Sequence, residues 1–278
     1  MKCLRFLSFV AGIVLPLGSA QGLVIARWDA NDLAVTEGAP VAAWTSNVGG
    51  FAVNAAAGAE PIFASGGING RPSLDFDGVN DVLKLGNSIS GVQTVVGVAI
   101  IDTGAANLVG LVSTGGDRLN VRRNNTTTFY RSDGQLGDNN DFYRADGIVD
   151  GEDGVYVNDV KSGAFTFDIA HVVISESDDV AQTYPDFWIG NARDTLARYW
   201  NGDIGEIILF NNALTPDERT GVAHNLGVKW GFGFDIPATQ SQIDAANALG
   251  VVVPEPSGWL LIAAGATGVL FLGRRRGC

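Results

Sequence analysis

Cysteine is nearly absent from this chain. The 278 residues hold two, Cys3 and Cys278, one near each end. Everything between them lacks a thiol, which excludes both a disulfide framework and a thiolate metal site from the body of the protein. Histidine is equally scarce. His171 and His224 are the only two, and two imidazoles cannot build the usual zinc site unaided. His171, within Asp-Ile-Ala-His-Val-Val-Ile-Ser, is expected on a half-buried strand, and His224 on a late helix facing water, neither of them catalytic. No G-x-S-x-G, H-E-x-x-H or Walker-type loop is present, so the common hydrolase, zinc-protease and nucleotide-binding motifs are missing. There is no internal repeat and no long low-complexity run.

Positive charge is concentrated at the ends. Of 18 Lys and Arg, five (Lys2, Arg5, Arg274, Arg275, Arg276) lie in the terminal segments, leaving 13 between Gln21 and Val252. Of 30 Asp and Glu only Glu255 does, leaving 29 and a net charge of −16 on the body. A body this acidic repels phosphate backbones and argues against nucleic acid as a partner.

The two ends carry targeting features. Lys2 and Arg5, the apolar stretch Phe6 to Leu17 and the small residues Gly18-Ser19-Ala20 read as a secretory signal peptide over residues 1–20, cut by signal peptidase after Ala20. At the other end, Pro254-Glu255-Pro256 breaks any regular structure. An uncharged apolar stretch from Gly258 to Gly273 follows, then Arg274, Arg275 and Arg276. As a helix that stretch spans roughly 25 Å, near the lower limit for crossing a bilayer, with the arginines on the cytoplasmic side. This tail, residues 253–278, resembles the PEP-CTERM sorting signal of Gram-negative bacteria. The resemblance implies transient membrane insertion through residues 258–273 and processing near the triplet by an exosortase. An inner-membrane intermediate would then give way to a cell-surface or matrix form.

Between the ends, short β-branched and aromatic runs alternate with Asn, Asp and Gly, the pattern of strands and turns. Thr94 to Ile101 is almost wholly apolar, as expected of a strand covered on both faces. Asn158-Asp159 reads as a hairpin tip. Phe165 to Ile174, Phe187 to Ile189 and Ile204 to Phe210 read as further strands. One helix is announced by Thr215-Pro216-Asp217-Glu218, a capping box with proline at the first helical position. Val222, Leu226 and Trp230 recur on one face of it, and Gly231 stops it. Ala238 to Leu249 reads either as a second short helix or as a stalk.

Two stretches carry a family resemblance. Trp28 to Trp44 with Ile68 to Leu85 (INGRPSLDFDGVNDVLKL), and Phe187 to Arg219 (FWIGNAR, then YWNGDIGEIILFNNALTPDER), resemble the opening and closing strands of bacterial laminin-G-like, concanavalin-A-like domains. The stretch from Thr114 to Asp186 matches poorly. The resemblance implies an all-β jelly-roll sandwich of two antiparallel sheets over residues 21–234, with one short C-terminal helix and with first and last strands together. Residues 235–252 would form a linker to the sorting segment.

Candidate chemistry is thin. Glycosidases of the laminarinase type carry E-x-D-x-x-E on one strand. Here Glu176-Ser177-Asp178-Asp179-Val180-Ala181 breaks the motif at Ala181 and reads as a polar loop. The expectation is therefore a chain without enzymatic activity. Oxygen ligands for calcium are dense in the acidic stretch, with Asp138, Asn140 and Asp141, or Asp146, Asp150 and Glu152 as sets. No defined calcium-loop spacing is present, and a water-exposed acidic loop is the simpler account. For a sugar, exposed aromatics are needed. Phe142, Tyr143 and Tyr156 are the first candidates, with Tyr184 and Tyr199 behind them. Trp28, Trp44, Trp188, Trp200 and Trp230 sit in core-like patterns and are expected inside. The function expected is an exported protein that binds extracellular polysaccharide or another surface component. The alternatives are a purely structural adhesion module and a glycoside hydrolase of the same fold.

Overall fold

The structure is a computed structural model. It describes residues 23–106, 108–114, 120–123, 127–132, 154–161, 163–176, 182–192, 197–232 and 236–252. Residues 1–22 and 253–278, where a signal peptide and a sorting segment are expected, and the acidic stretch 133–153 lie outside the described residues.

In chain order the first strands are β1 (Val24–Asp29), β2 (Ala43–Thr45), β3 (Ala52–Asn54), β4 (Ile62–Ile68), β5 (Arg71–Asp77) and β6 (Leu83–Leu85). The middle of the chain forms β7 (Ile89–Val92), β8 (Thr94–Ala99), β9 (Gly110–Ser113), β10 (Asn120–Arg123) and β11 (Phe129–Ser132). Then come β12 (Gly154–Val157), β13 (Val160–Lys161), β14 (His171–Glu176), β15 (Gln182–Tyr184), β16 (Phe187–Ile189) and β17 (Asn201–Phe210). Two helices follow among the described residues, α1 (Pro216–Lys229) and α2 (Gln240–Ala248).

Sheet A runs β13-β12-β14-β8-β17-β5-β4, with β1 added on β17, and sheet B runs β11-β10-β9-β16-β6-β3-β2. All named pairings are antiparallel, and β7 with β15 forms a small third sheet. The inner faces of A and B share one core, in which Val95, Ile204 and Ile207 of A meet Leu85, Phe187 and Ile189 of B. The fold is thus an all-β sandwich. First and last strands do lie together, since Trp28 of β1 faces Ile207 of β17.

The outer face of sheet A carries a second core, where Val96, Val98, Ile174 and Phe210 meet Val222 and Leu226 of α1 and Trp230 at its C-cap. This explains why β8 is almost wholly apolar: all six of its residues are buried, with Val95 and Ala99 in one core and Val96 and Val98 in the other. The cap of α1 forms as its sequence predicts. Thr215 and Glu218 satisfy each other's backbone N–H groups, and Gly231 ends the helix with φ +63°. Asn158 and Asp159 both take positive φ at the β12–β13 tip.

Three expectations are corrected. There are two C-terminal helices rather than one, and residues 235–252 are not a free linker. Thr239 and Gln242 form a second capping box, Ala246 is fully buried against α1, and Asn225 donates to the Val251 carbonyl at 2.6 Å. Propensity could not decide this, because α2 is a short helix stabilised by docking rather than by itself. The strand expected from Phe165 begins only at His171. Phe165 is turned into the core, and Asp168 takes φ +60° between them. No helix among the described residues is long and apolar enough to cross a membrane.

Candidate functional site

Cross-strand register in sheet B assembles a row that no local stretch of sequence contains. Ala43 lies opposite Asn54, Asn54 opposite Lys84, Lys84 opposite Trp188, Trp188 opposite Ser113, and Ser113 opposite Asn120. Asn120 in turn faces Ser132. Directly paired residues share a face, so the row crosses seven strands, about 29 Å at ~4.8 Å per strand. Its face is the outer one. Phe187 and Ile189 point into the core, Phe187 stacking on Trp28 at 5.6 Å between centroids. Alternation then turns Trp188 outward, beside the exposed Lys84 and Asn54. Among the described residues no helix packs on this face.

Trp188 differs from the other described tryptophans. Trp28, Trp44 and Trp200 belong to the inner core and Trp230 to the helix-side core, while Trp188 belongs to neither. The indole N–H groups of those four donate to Phe51 O (3.1 Å), Asp29 O (3.4 Å), Ile100 O (3.1 Å) and Glu206 (2.8 Å). Trp188 has no such partner among the described residues, although only 5 % of it is exposed. A nearly buried indole normally spends its N–H on the protein. The Lys84 ammonium lies over its ring, 4.3 Å from the centroid. Ser113, on the other flank, is buried and donates its hydroxyl to Asn191 O at 2.5 Å. Buried to this extent, the indole offers little open ring, and the exposed Lys84 and Asn54 are the side chains of this row that a ligand can meet. Trp188 is thus buried, as expected, but it lies outside both cores, on the outer side of sheet B. In Phe-Trp-Ile all three side chains are apolar, so alternation gave no sign of which pointed out.

The residues singled out in the sequence fall elsewhere. Tyr156, expected to face a ligand, is 7 % exposed and part of the helix-side core, with the Arg219 guanidinium 3.9 Å above its ring. It is a packing residue. Phe142 and Tyr143 lie outside the described residues, as do Asp138, Asn140, Asp141, Asp146, Asp150 and Glu152. So do Ala20, Pro254, Glu255, Pro256, Arg274, Arg275 and Arg276. Tyr184 is buried in the inner core. His171 is buried, bonded to Asn158 and Thr166, and burial lowers its pKa. His224 is half-buried, with Nδ1 2.5 Å from Ile236 O.

Glu176 ends strand β14 rather than sitting in a loop. It is 3 % exposed, and Arg219 of α1 donates to it at 2.9 Å. Burial pushes its carboxyl up to about 7, against the opposing pull of Arg219. Placed beneath the helix, it cannot reach a polymer.

A carboxylate group that the sequence reading missed lies on the outer face of sheet A. Asp75 and Asp203 are paired across β5 and β17, and Ser73 donates a short hydrogen bond to Asp203. Burial raises Asp203 to about 6, with repulsion from Asp75 and Asp102 adding to it. Asp81, also buried, rises to about 6. No set of three described side chains converges on a metal position.

These raised carboxyls make a testable statement about stability. A carboxyl with a higher pKa in the folded state binds more protons folded than unfolded, so stability falls as pH rises from the unfolded value to the folded one. For Glu176 that window runs from 4.5 to about 7, and for Asp203 and Asp81 from 3.8 to about 6. Urea unfolding is expected to show stability declining between about pH 5 and 7, with Glu176→Gln flattening the upper part of the decline. An unchanged slope in that variant would assign the decline to other groups.

No protein-family model matches the chain, and no curated protein matches it. Among solved structures it is similar to Trypanosoma rangeli sialidase in complex with sialic acid, at 12% identity and TM-score 0.42, over 70% of this chain and 32% of that one. It is also similar to domain 4 of a GH43 extracellular arabinanase from Geobacillus stearothermophilus in complex with arabinotriose. That likeness has 15% identity and TM-score 0.43 and covers 71% of this chain and 97% of the domain. The chain thus spans about a third of the sialidase, and no residue role passes across at these values. The expectation of a chain without enzymatic activity is corrected here. It rested on the broken laminarinase-type motif and on missing hydrolase motifs, and it is withdrawn because a sialidase and a domain of an arabinanase stand among the similar structures, which assign no activity to this chain.

Proposed function

We propose that the chain is an exported surface or matrix protein whose sandwich binds polysaccharide along the outer face of sheet B. The observation that carries this reading is the row across sheet B, in which the exposed Lys84 and Asn54 stand beside each other and beside the buried Trp188. A polymer laid across the strands would meet the row in sequence, hydrogen-bonding to Asn54 and Lys84. The jelly-roll, laminin-G-like reading of the sandwich belongs to this proposal. So does sorting through the tail, in which signal peptidase cuts after Ala20 and an exosortase acts at Pro254-Glu255-Pro256 while residues 258–273 hold the chain in the membrane.

A glycan array tests the binding face. Replacing Lys84 and Asn54 together by alanine is expected to lower affinity for any bound polysaccharide by about tenfold, since each loses a hydrogen-bonding side chain. Full binding by a folded protein carrying both substitutions would remove this face from the reading. Mass spectrometry of the mature C-terminus tests the sorting. The expected product ends near the triplet, and a mature surface form still carrying Arg274 to Arg276 would contradict processing there.

A further inference from the structure

We infer that Lys229 and Asp29 condense into an amide, a covalent bond between α1 and β1 made by the folded chain itself. The inference is independent of the polysaccharide reading above.

Lys229 is the one buried lysine among the described residues, 7 % exposed. Its ammonium bonds both Asp29 Oδ2 and Glu206 Oε2. Asp29 is 7 % exposed and Glu206 is fully buried. The carbon that Nζ would attack is one bond beyond the Asp29 oxygen it touches. Glu206 Oε2, 2.6 Å from the same nitrogen, is placed to carry a proton. The Trp230 N–H fixes that oxygen at 2.8 Å, and the Trp230 ring walls the site 5.3 Å from Nζ. Reactants held in contact in a buried site react as if at very high concentration.

The ion pair is the state before reaction. Burial alone would raise Asp29, but Lys229 holds it as the carboxylate, so a proton first passes along the hydrogen bond from Nζ to Oδ2. The freed amine then attacks Asp29 Cγ, and the C–N bond forms as the carbonyl electron pair moves onto Oδ1. Glu206 takes a proton from the nitrogen and returns it to the Oδ2 hydroxyl. The bond from Cγ to Oδ2 breaks, the carbonyl re-forms at Oδ1, and one water leaves. No oxidant or co-reactant is required.

The charges around the site favour the product. Arg27 and Lys229 face Asp29 and Glu206, two cations against two anions. Condensation removes one charge of each sign and leaves Arg27 Nε on Glu206 at 2.6 Å, so no buried ion is orphaned. A neutral amide costs less to bury than an ion pair. The bond would join residues 200 apart in sequence. In a body without a thiol, it ties the first strand to the helix after the last one, as a disulfide does elsewhere.

Trypsin digestion of the denatured full chain, followed by tandem mass spectrometry, tests the bond. One product is expected to hold both Asp29 and Lys229, lighter by one water than its two parts and uncut after Lys229. A wild type that is folded by near-ultraviolet circular dichroism, yet is cut after Lys229 and keeps an Asp29 peptide of full mass, overturns the inference. Glu206→Gln keeps the shape but cannot accept the proton, and is expected to lower the linked fraction at least about tenfold. Wild-type linkage in that variant overturns the role of Glu206. The wild-type digest decides the bond whether or not the variant folds.

Discussion

Lys229→Met is expected to destabilise the fold by about 3–5 kcal/mol, seen as a lower midpoint in urea. The reason is the polar network between β1, β17 and α1. Glu206 is fully buried, yet it accepts from Arg27 Nε at 2.6 Å, Lys229 Nζ at 2.6 Å and Trp230 Nε1 at 2.8 Å. Lys229 also bonds the buried Asp29. It stands in the last turn of α1, where the helix dipole favours a cation. Methionine keeps the length of the stem but leaves two carboxylates sharing one arginine, and a buried charge that loses its partner costs far more than the pair contributed.

The same exchange should alter the acid limb. Burial alone would raise Asp29, but Lys229 by charge and hydrogen bond, helped by Asn31, holds its carboxyl below the usual range. A group depressed in this way contributes stability above its unfolded pKa of 3.8 and loses it as pH falls through the folded value. Without Lys229 that loss should begin at a higher pH. A change of less than about 1 kcal/mol, with the acid limb unmoved, would mean that the network adds little beyond packing.

Gly221→Ala is expected to cost about 3 kcal/mol, because it drives the two helices apart. A Cβ at Gly221 would overlap the backbone carbonyl of Gln242 and press on the Ala246 methyl. A backbone group cannot rotate away, so α2 must shift. Its contacts through Asn225 to Val251 O, and from Arg27 to Gly250 O, would shift with it. Hydrogen exchange over residues 240–249 should speed up in the variant. Unchanged exchange and an unchanged urea midpoint would restore residues 235–252 to the status of a linker.

Local chemistry accounts for much of what was legible. Strand β8 was readable because a strand buried on both faces needs apolar residues throughout, and α1 because its cap, proline and stop glycine act within a few residues of one another. The Asn158-Asp159 tip was readable for the same reason: the turn is made by the two residues that name it. Glu206 was not. Strict alternation from Ile204 would place it in the inner core, but a bulge at Gly205 resets the register and turns it to the helix side. The cause is distant, since the Trp230 ring fills the space a side chain at Gly205 would need.

By itself the sequence determined that the body folds without thiols, that it is mostly strand, and that one helix starts at Pro216. Each of these follows from composition or from forces acting within a turn or two of chain. Only the tertiary structure decided that Trp188 lies outside both cores, that Glu176 and Tyr156 lie beneath a helix, and that the segment before the proline triplet is docked. Those depend on which strands become neighbours. Lys84 and Trp188 are adjacent because β6 and β16 pair across the sheet, and no periodicity within either strand encodes its partner.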